Sequence, residues 1–308
     1  MLAVETNKLT KRFNSFSAVD GLDLRVPEGS IYGFLGPNGA GKTTTIKMLL
    51  GLSKPTSGDI KLYGRDVTFG SLKNRMDIGF LPDVPSFYDW MKPKEFLYFC
   101  GNLFSIDKKV LNDRVDNLIE LVGLEEVNKK IKGFSRGMKQ RLGIAQALIN
   151  DPKVIFLDEP TSALDPIGRK DVMDIIGKLA GRVTVFFSTH ILSDVERICD
   201  RVVILDKGKM LIEDTIPNLR QKYSRQGIEI EADESENFNE FLSLLSKQKW
   251  VDSTEIPERG KVKVLVNNLS DAQINMTALL TEKKVRLKKF MILEPSLEDI
   301  FLKVVSKS

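Results

Sequence analysis

The sequence predicts an α/β core built on a parallel sheet, carrying a helical insert and followed by a small α+β domain. Three observations carry this reading. Short, fully apolar strands are separated by helical stretches up to about residue 218; helical periodicity dominates at about 89–148; and a fresh β-α-β-β-α-β pattern starts after Tyr223. At 308 residues and 42% hydrophobic content, the chain is long enough for about two domains, one with a sizeable core.

Taken in order, Gly29-Ser30-Ile31-Tyr32-Gly33-Phe34-Leu35 is an apolar strand running into a glycine-bearing loop, and Thr44 to Leu50 continues as a helix. In the insert, Lys94 to Leu103 and Val110 to Val122 are the clearest helices, and Gly123 marks a C-terminal stop. Arg141 to Asn150 is a further helical stretch, with Ser135 as a candidate N-cap. Three short strands follow: Val154-Ile155-Phe156-Leu157, Val183-Thr184-Val185-Phe186-Phe187 and Val202-Val203-Ile204-Leu205, the last closed by the turn Asp206-Lys207-Gly208-Lys209. Their lack of polar alternation suits a sheet covered on both faces.

From Tyr223 onward, Ile228 to Glu231 is a strand, Asn237 to Gln248 a helix and Trp250 to Ile256 extended. Lys261 to Val266 is a strand, Asp271 to Glu282 a helix and Val285 to Leu293 a strand. That is the ferredoxin-like order, closed by a helix from Leu297 to Val304 after Pro295. The expected domains are therefore 1–222 and 223–308. The second holds 13 basic and 14 acidic residues and no pattern that names a chemistry.

Composition removes several classes. No run approaches the roughly 18 to 20 apolar residues of a membrane helix, and Met1 to Thr10 lacks the apolar stretch of a secretory leader. Cys100 and Cys199 have no metal-ligand spacing and read as packing residues of a reducing compartment. A net charge of +4, with acids and bases interspersed, gives no nucleic-acid footprint. The acidic stretch Glu229 to Glu240 and the basic stretch Lys283 to Lys289 read as solvated surface, with pairing across a two-fold axis as the alternative.

Chemistry concentrates at strand ends. Gly36-Pro37-Asn38-Gly39-Ala40-Gly41-Lys42-Thr43 satisfies G-x-x-x-x-G-K-[ST] at every fixed position, with a strand before and a helix after. Glycines let successive amides turn toward phosphate, Lys42 reaches the β- and γ-phosphates, and the Thr43 hydroxyl suits Mg²⁺. Asp158 and Glu159 leave an apolar strand at its carboxyl end, where open α/β sheets bind ligands. Asp158 suits Mg²⁺ or its water shell, and Glu159 the water that attacks the γ-phosphate. Two adjacent acids at one strand end need a cation nearby to offset their repulsion. His190, the single histidine, follows the tip of another core strand, Phe186-Phe187-Ser188-Thr189, and can meet the γ-phosphate from the far side. Ser135-Arg136-Gly137 reads by itself as a helix cap.

The ordered set resembles the nucleotide-binding subunit of an ABC transporter, of the subgroup that works with ABC-2 type, exporter-like membrane subunits. Gly36 to Thr44 resembles the Walker A segment, Phe134 to Gln140 the signature segment, and Val154 to Glu159 Walker B with its catalytic glutamate. Ser162-Ala163-Leu164-Asp165 resembles the D-loop and Ser188-Thr189-His190 the switch-histidine segment. The likeness covers about residues 1–215, and Pro295 to Leu302 resembles a tail common in the subgroup.

The resemblance implies a P-loop NTPase ABC cassette that hydrolyses ATP with Mg²⁺ and powers export through a separate permease at the cytoplasmic face of the membrane. It implies a head-to-tail dimer in which Ser135 and Gly137 contact the nucleotide held by Lys42, Thr43 and Thr44 of the other copy. It places an aromatic under adenine, which maps to Phe13, with Phe16 as its local rival. Asp83 stands where the family usually has glutamine or glutamate, one methylene short of direct reach to Mg²⁺ or the attacking water. Arg136 replaces the first glycine of the signature, and Met138 stands at its glutamine. Phe87, Tyr88, Trp90 and Met91 form a cluster that either packs within the insert or anchors the permease. The rival class, a soluble ABC-type ATPase acting on ribosomes or DNA, carries tandem cassettes, long coiled coils or zinc spacing, none of which the sequence shows.

Overall fold

The structure is a computed structural model that describes residues 1–71, 75–223, 227–293 and 297–305. The chain divides into two compact units, one over Met1–Ile216 together with the end of the chain from Val304, and one over Pro217–Lys303.

The first unit opens with β1 (Leu2–Phe13), β2 (Phe16–Leu22) and β3 (Arg25–Pro27), followed by β4 (Ile31–Leu35), α1 (Lys42–Leu49), β5 (Ser57–Leu62), β6 (Arg65–Asp66) and β7 (Ile78–Leu81). Strands β2, β1, β5 and β6 form an antiparallel sheet in that order, with β3 also paired to β1. This sheet is more than the alternation of strands and helices predicts for the region. β1 is long and largely polar, with Lys8, Lys11 and Arg12 along it, and its fully buried positions include Val4 and Leu9.

The insert comprises α2 (Pro93–Leu103), α3 (Lys108–Leu121) and α4 (Arg136–Leu148). Asp107 caps α3 by accepting from the amides of Lys109 and Val110. Gly123 supplies the left-handed stop, with φ +61°. Helix α4 begins five residues earlier than its periodicity suggests: Ser135 caps it directly, its Oγ accepting from the Met138 amide at 3.2 Å. Periodicity misses the first turn, Arg136-Gly137-Met138-Lys139, which has no apolar stripe, but the candidate cap at Ser135 marks the start correctly.

After the insert come β8 (Val154–Asp158), α5 (Pro166–Gly177), β9 (Thr184–Thr189), α6 (Leu192–Ile198), β10 (Arg201–Asp206), β11 (Lys209–Thr215) and α7 (Ile216–Tyr223). The central sheet runs β11-β10-β4-β9-β8-β7, parallel throughout except for the β10–β11 hairpin. Every residue of β4, β8 and β9 is buried, which is why these segments carry no alternation. Phe186 sits at the middle of the core, 4.9 Å from Phe34, 5.4 Å from Phe156 and 5.6 Å from Tyr32, ring centre to ring centre.

The second unit takes in α7 after Ile216, then β12 (Gly227–Ala232), α8 (Glu236–Leu245), β13 (Val251–Glu255), β14 (Lys261–Val266), α9 (Leu269–Glu282), β15 (Leu287–Leu293) and α10 (Leu297–Val305) as far as Lys303. Its sheet is antiparallel in the order β13-β14-β12-β15, the ferredoxin-like arrangement. Ile228, Ile230, Val262 and Val264 face α8 and α9 through Phe238, Phe241 and Met276. The acidic and basic stretches pair within this unit: Lys289 to Glu229 at 2.9 Å, Lys283 to Glu240 at 2.8 Å and Lys288 to Asp233 at 2.9 Å. Pro295 and Ser296 of the tail lie outside the described residues. Among the described residues, no helix is long and apolar enough to cross a membrane.

Candidate active site

The carboxyl ends of β4, β8 and β9 are neighbours in the parallel sheet, so whatever follows each strand meets at one edge. After β4 comes the loop Gly36–Gly41. A Cβ on Gly36 would lie 2.7 Å from the Leu205 carbonyl oxygen, and one on Gly41, whose φ is +102°, only 2.4 Å from that of Ala18. The loop thus requires glycine at both ends for close approach, and α1 starts at Lys42 directly after it.

Lys42 is buried and its ammonium donates to the carbonyls of Gly36 at 2.7 Å and Pro37 at 3.2 Å. It also lies 3.0 Å from Glu159 Oε1, a charge contact rather than an aligned hydrogen bond. Pro37, Asn38, Gly39 and Thr43 are exposed, Ala40 is buried and Thr44 is half-buried. The loop therefore offers its middle to solvent while its ends are locked into the core.

Asp158 ends β8 and is 3% exposed. One carboxylate oxygen accepts from Ser188 Oγ at 2.6 Å. Glu159 follows with φ +50°, a left-handed conformation costing roughly 1 kcal/mol or more in a residue that is not glycine. Its amide donates to the Ser188 carbonyl at 3.1 Å, with Ser188 Oγ also 3.2 Å away. Its Oε2 lies 2.8 Å from His190 Nδ1. Lys42, Glu159 and His190 thus form one contact chain across three strand ends, and Ser188 fixes both acids.

The next turn is held from behind. Thr161 Oγ1 donates to Asp194 Oδ2 at 2.6 Å, and Arg169 Nε donates to Asp194 Oδ1 at 2.7 Å. Asp194 is 2% exposed, so its charge is stable there only because both oxygens are paired. Neither Ser188 nor Asp194 stands out in the sequence as a site residue. Ser188 precedes the histidine at a strand tip and Asp194 is an ordinary helix acid, so only tertiary contacts reveal them.

Asp83 lies in the segment after β7, within electrostatic range of this group. Burial pushes its carboxyl pKa up, Arg136 pulls it down, Asp158 and Glu159 push it up further and His190 opposes them. Its direct ion partner is Arg136, at 3.6 Å.

Two predicted members sit apart. Ser135 caps its own helix start, and a Cβ on Gly137 would lie 3.6 Å from Gly168 Cα; among the described residues no hydrogen bond or ion pair joins either residue to Lys42, Asp158, Glu159 or His190. Phe13 and Phe16 face each other across the β1–β2 turn and both are exposed, Phe13 with Lys11 Nζ 4.9 Å from its ring centre. In the insert cluster, Phe87 packs edge-on against buried Phe96 at 5.1 Å, while Trp90 lies against Tyr88 at 5.0 Å and remains 64% exposed.

No cluster of three or more His, Cys, Asp or Glu side chains placed to hold a metal occurs among the described residues. The donors present suit Mg²⁺ all the same, since this ion takes one or two protein oxygens and completes its shell with water and phosphate. Asp158 is held in place by Ser188 through one oxygen, and the Thr43 hydroxyl is exposed at the start of α1.

Comparison with known proteins agrees with this geometry. Residues 19–162 match the ABC transporter family, and residues 215–305 match the C-terminal domain of DrrA1-3-like ATP-binding proteins. The chain is 39% identical over 305 residues to the bacitracin transport ATP-binding protein BcrA of Bacillus licheniformis, covering 98% of this chain and 97% of that one. It is 31% identical to the daunorubicin resistance ATP-binding protein DrrA3 of Streptomyces coeruleorubidus, covering 97% and 95%. Among solved structures it resembles an ATP-binding subunit of an ABC transporter, with a TM-score of 0.65 and 28% identity over 72% of this chain and 93% of that one. It also resembles a dimeric ATP-binding cassette bound to ADP and phosphate, with a TM-score of 0.62 and 26% identity over 69% and 98%. The chain belongs to the ATP-binding subunits of ABC transporters, and it is the ATP-hydrolysing part of such a transporter.

Proposed function

We propose that residues 1–222 form an ATP-driven clamp and that two copies close head to tail around nucleotide, powering export through a separate ABC-2 type permease. Residues 223–308 serve as an accessory domain. The observation that carries this is the contact chain Lys42–Glu159–His190 at adjacent strand ends, with Asp158 fixed beside it.

In this reading the amides of Gly36 to Thr44 surround the phosphates, and Lys42 moves from the Gly36 and Pro37 carbonyls to the β- and γ-phosphate oxygens. Thr43 and Asp158 would hold Mg²⁺, which would supply charge neutralisation on the phosphate oxygens. Glu159 orients and deprotonates the attacking water, and His190 holds Glu159 in place while reaching toward the γ-phosphate. Asp83 would act on the ion or the attacking water, with a water bridging the methylene that aspartate lacks. Phe13 stacks on adenine. Among the described residues no hydrogen bond or ion pair joins Ser135 or Gly137 to this group, which suits a role against the nucleotide of a second copy. Ligand binding then favours the closed dimer because closure completes the contacts.

The permease would seat the subunit at the cytoplasmic face of the membrane. Exposed Tyr88 and Trp90, and an apolar groove of about 350 Å³ lined by Leu50, Leu52, Phe80, Cys100, Leu103 and Phe104, supply a surface for it. The relatives named for bacitracin transport and daunorubicin resistance suggest a toxic compound moved outward as cargo.

The decisive experiment measures ATP turnover and ATP-dependent dimerisation of Glu159→Gln. Turnover should fall at least about 100-fold while the dimer is trapped. A variant that stays monomeric in ATP overturns the clamp. Mixing Lys42→Ala with Ser135→Ala copies should restore one working pocket per dimer.

A further inference from the structure

Arg136 and Asp83 are each poorly placed alone. Arg136 is the first residue of α4, where the helix dipole is positive, and the first turn of α4 contains no acidic residue to offset the added cation. Asp83 lies within electrostatic range of Asp158 and Glu159, whose charges repel it. The structure brings the two together: Arg136 Nη2 lies 3.6 Å from Asp83 Oδ1, an oxygen shielded from solvent that has no hydrogen-bond partner among the described residues. One turn along the same face of α4, the buried Gln140 donates its Nε2 to the backbone carbonyl of Asp83 at 2.9 Å. Gln140 thus holds the main chain of residue 83 and Arg136 faces its carboxylate. The guanidinium of Arg136 and the carboxylate of Asp83 offset one another's charge.

We propose that Arg136 is a positioning residue for Asp83, holding that carboxylate beside the acids at the end of β8 so that the start of α4 acts on turnover in its own chain's pocket. This rests on the reading of Asp83 as a member of that pocket. Without the guanidinium, Asp83 turns away from Asp158 and Glu159, and fewer bound nucleotides have the full set of side chains in place. Substrate grip, which belongs to Lys42 and the loop amides, is unaffected.

The test is a double-mutant cycle on the full chain with MgATP, using Arg136→Gly, Asp83→Asn and their combination, with Arg136→Lys as the conservative variant and thermal melting as a folding control. Arg136→Gly should lower kcat about threefold, the scale of a partly exposed ion pair, with KM for ATP within about twofold of wild type. Arg136→Lys should recover most of kcat, and in the Asp83→Asn background Arg136→Gly should cost nothing further. Equal losses in both backgrounds, or a loss confined to KM, would mean that Arg136 touches nucleotide directly, and the proposal falls while the pocket reading stands. An Asp83→Asn variant with wild-type kcat removes Asp83 from the pocket, and the proposal falls with that reading.

Discussion

In the first unit charged groups are drawn inward, with Lys42 at 6%, Glu159 at 9% and Asp194 at 2% exposure, whereas the second unit keeps its Lys283–Glu240, Lys288–Asp233 and Lys289–Glu229 pairs on its surface around an apolar core. A buried ion pair is a poor source of stability, because desolvation takes back most of the attraction. Its presence at three neighbouring strand ends therefore marks a place where charge is needed for chemistry. Exposed pairs contribute little either way and place no demand on function. The comparison explains why one half of the chain states its chemistry and the other does not.

Substitutions can break or sharpen that contrast. The largest stability effect is expected from Asp194→Ala, which removes the shared acceptor of Thr161 and Arg169. Destabilisation of about 3 kcal/mol should appear as a fall of several degrees in the melting transition of the first unit. A melting curve unchanged from wild type would show that the buried acid is not structurally required. Ser188→Ala leaves the fold intact but frees Asp158 from its 2.6 Å bond, so kcat should drop about tenfold with a much smaller change in stability. Steady-state turnover at saturating MgATP reads this directly. Trp90→Glu places a charge on the exposed ring cluster, and transport should fall several-fold while basal hydrolysis stays within about twofold. Equal loss of both activities would instead indicate damage to the insert. The smallest effect belongs to Lys289→Ala in the second unit, where neither turnover nor melting temperature should move measurably.

Much of this was legible in the sequence. The strand Val154 to Leu157 has no polar residue and must be covered on both faces, so the acids that follow it had to emerge at a sheet edge. The glycine spacing of residues 36–41 marked a phosphate loop, but the close approach of Gly36 to Leu205 and Gly41 to Ala18 appears only in the fold. What could not be read depends on partners distant in sequence. Ser188 lies 30 residues from Asp158 and Asp194 lies 33 from Thr161, and neither pairing leaves a local pattern. Strand β1 was obscured for another reason: its polar outer face, with Lys8 and Lys11, masks the inward Val4 and Leu9. The acidic and basic stretches of the second unit showed their charges but not their partners, which proved to be each other.

The tight seat of Gly41 against the Ala18 carbonyl has a wider consequence. Ala18 belongs to β2, the strand that returns from the turn bearing Phe13 and Phe16, and Gly208 from the β10–β11 turn crowds the same carbonyl. Hairpin, amide row and sheet are cast as one piece. If Phe13 stacks on adenine as proposed, the base is held at a set spacing from the phosphates in the amide row, and the protein would measure its ligand like a caliper with a fixed jaw.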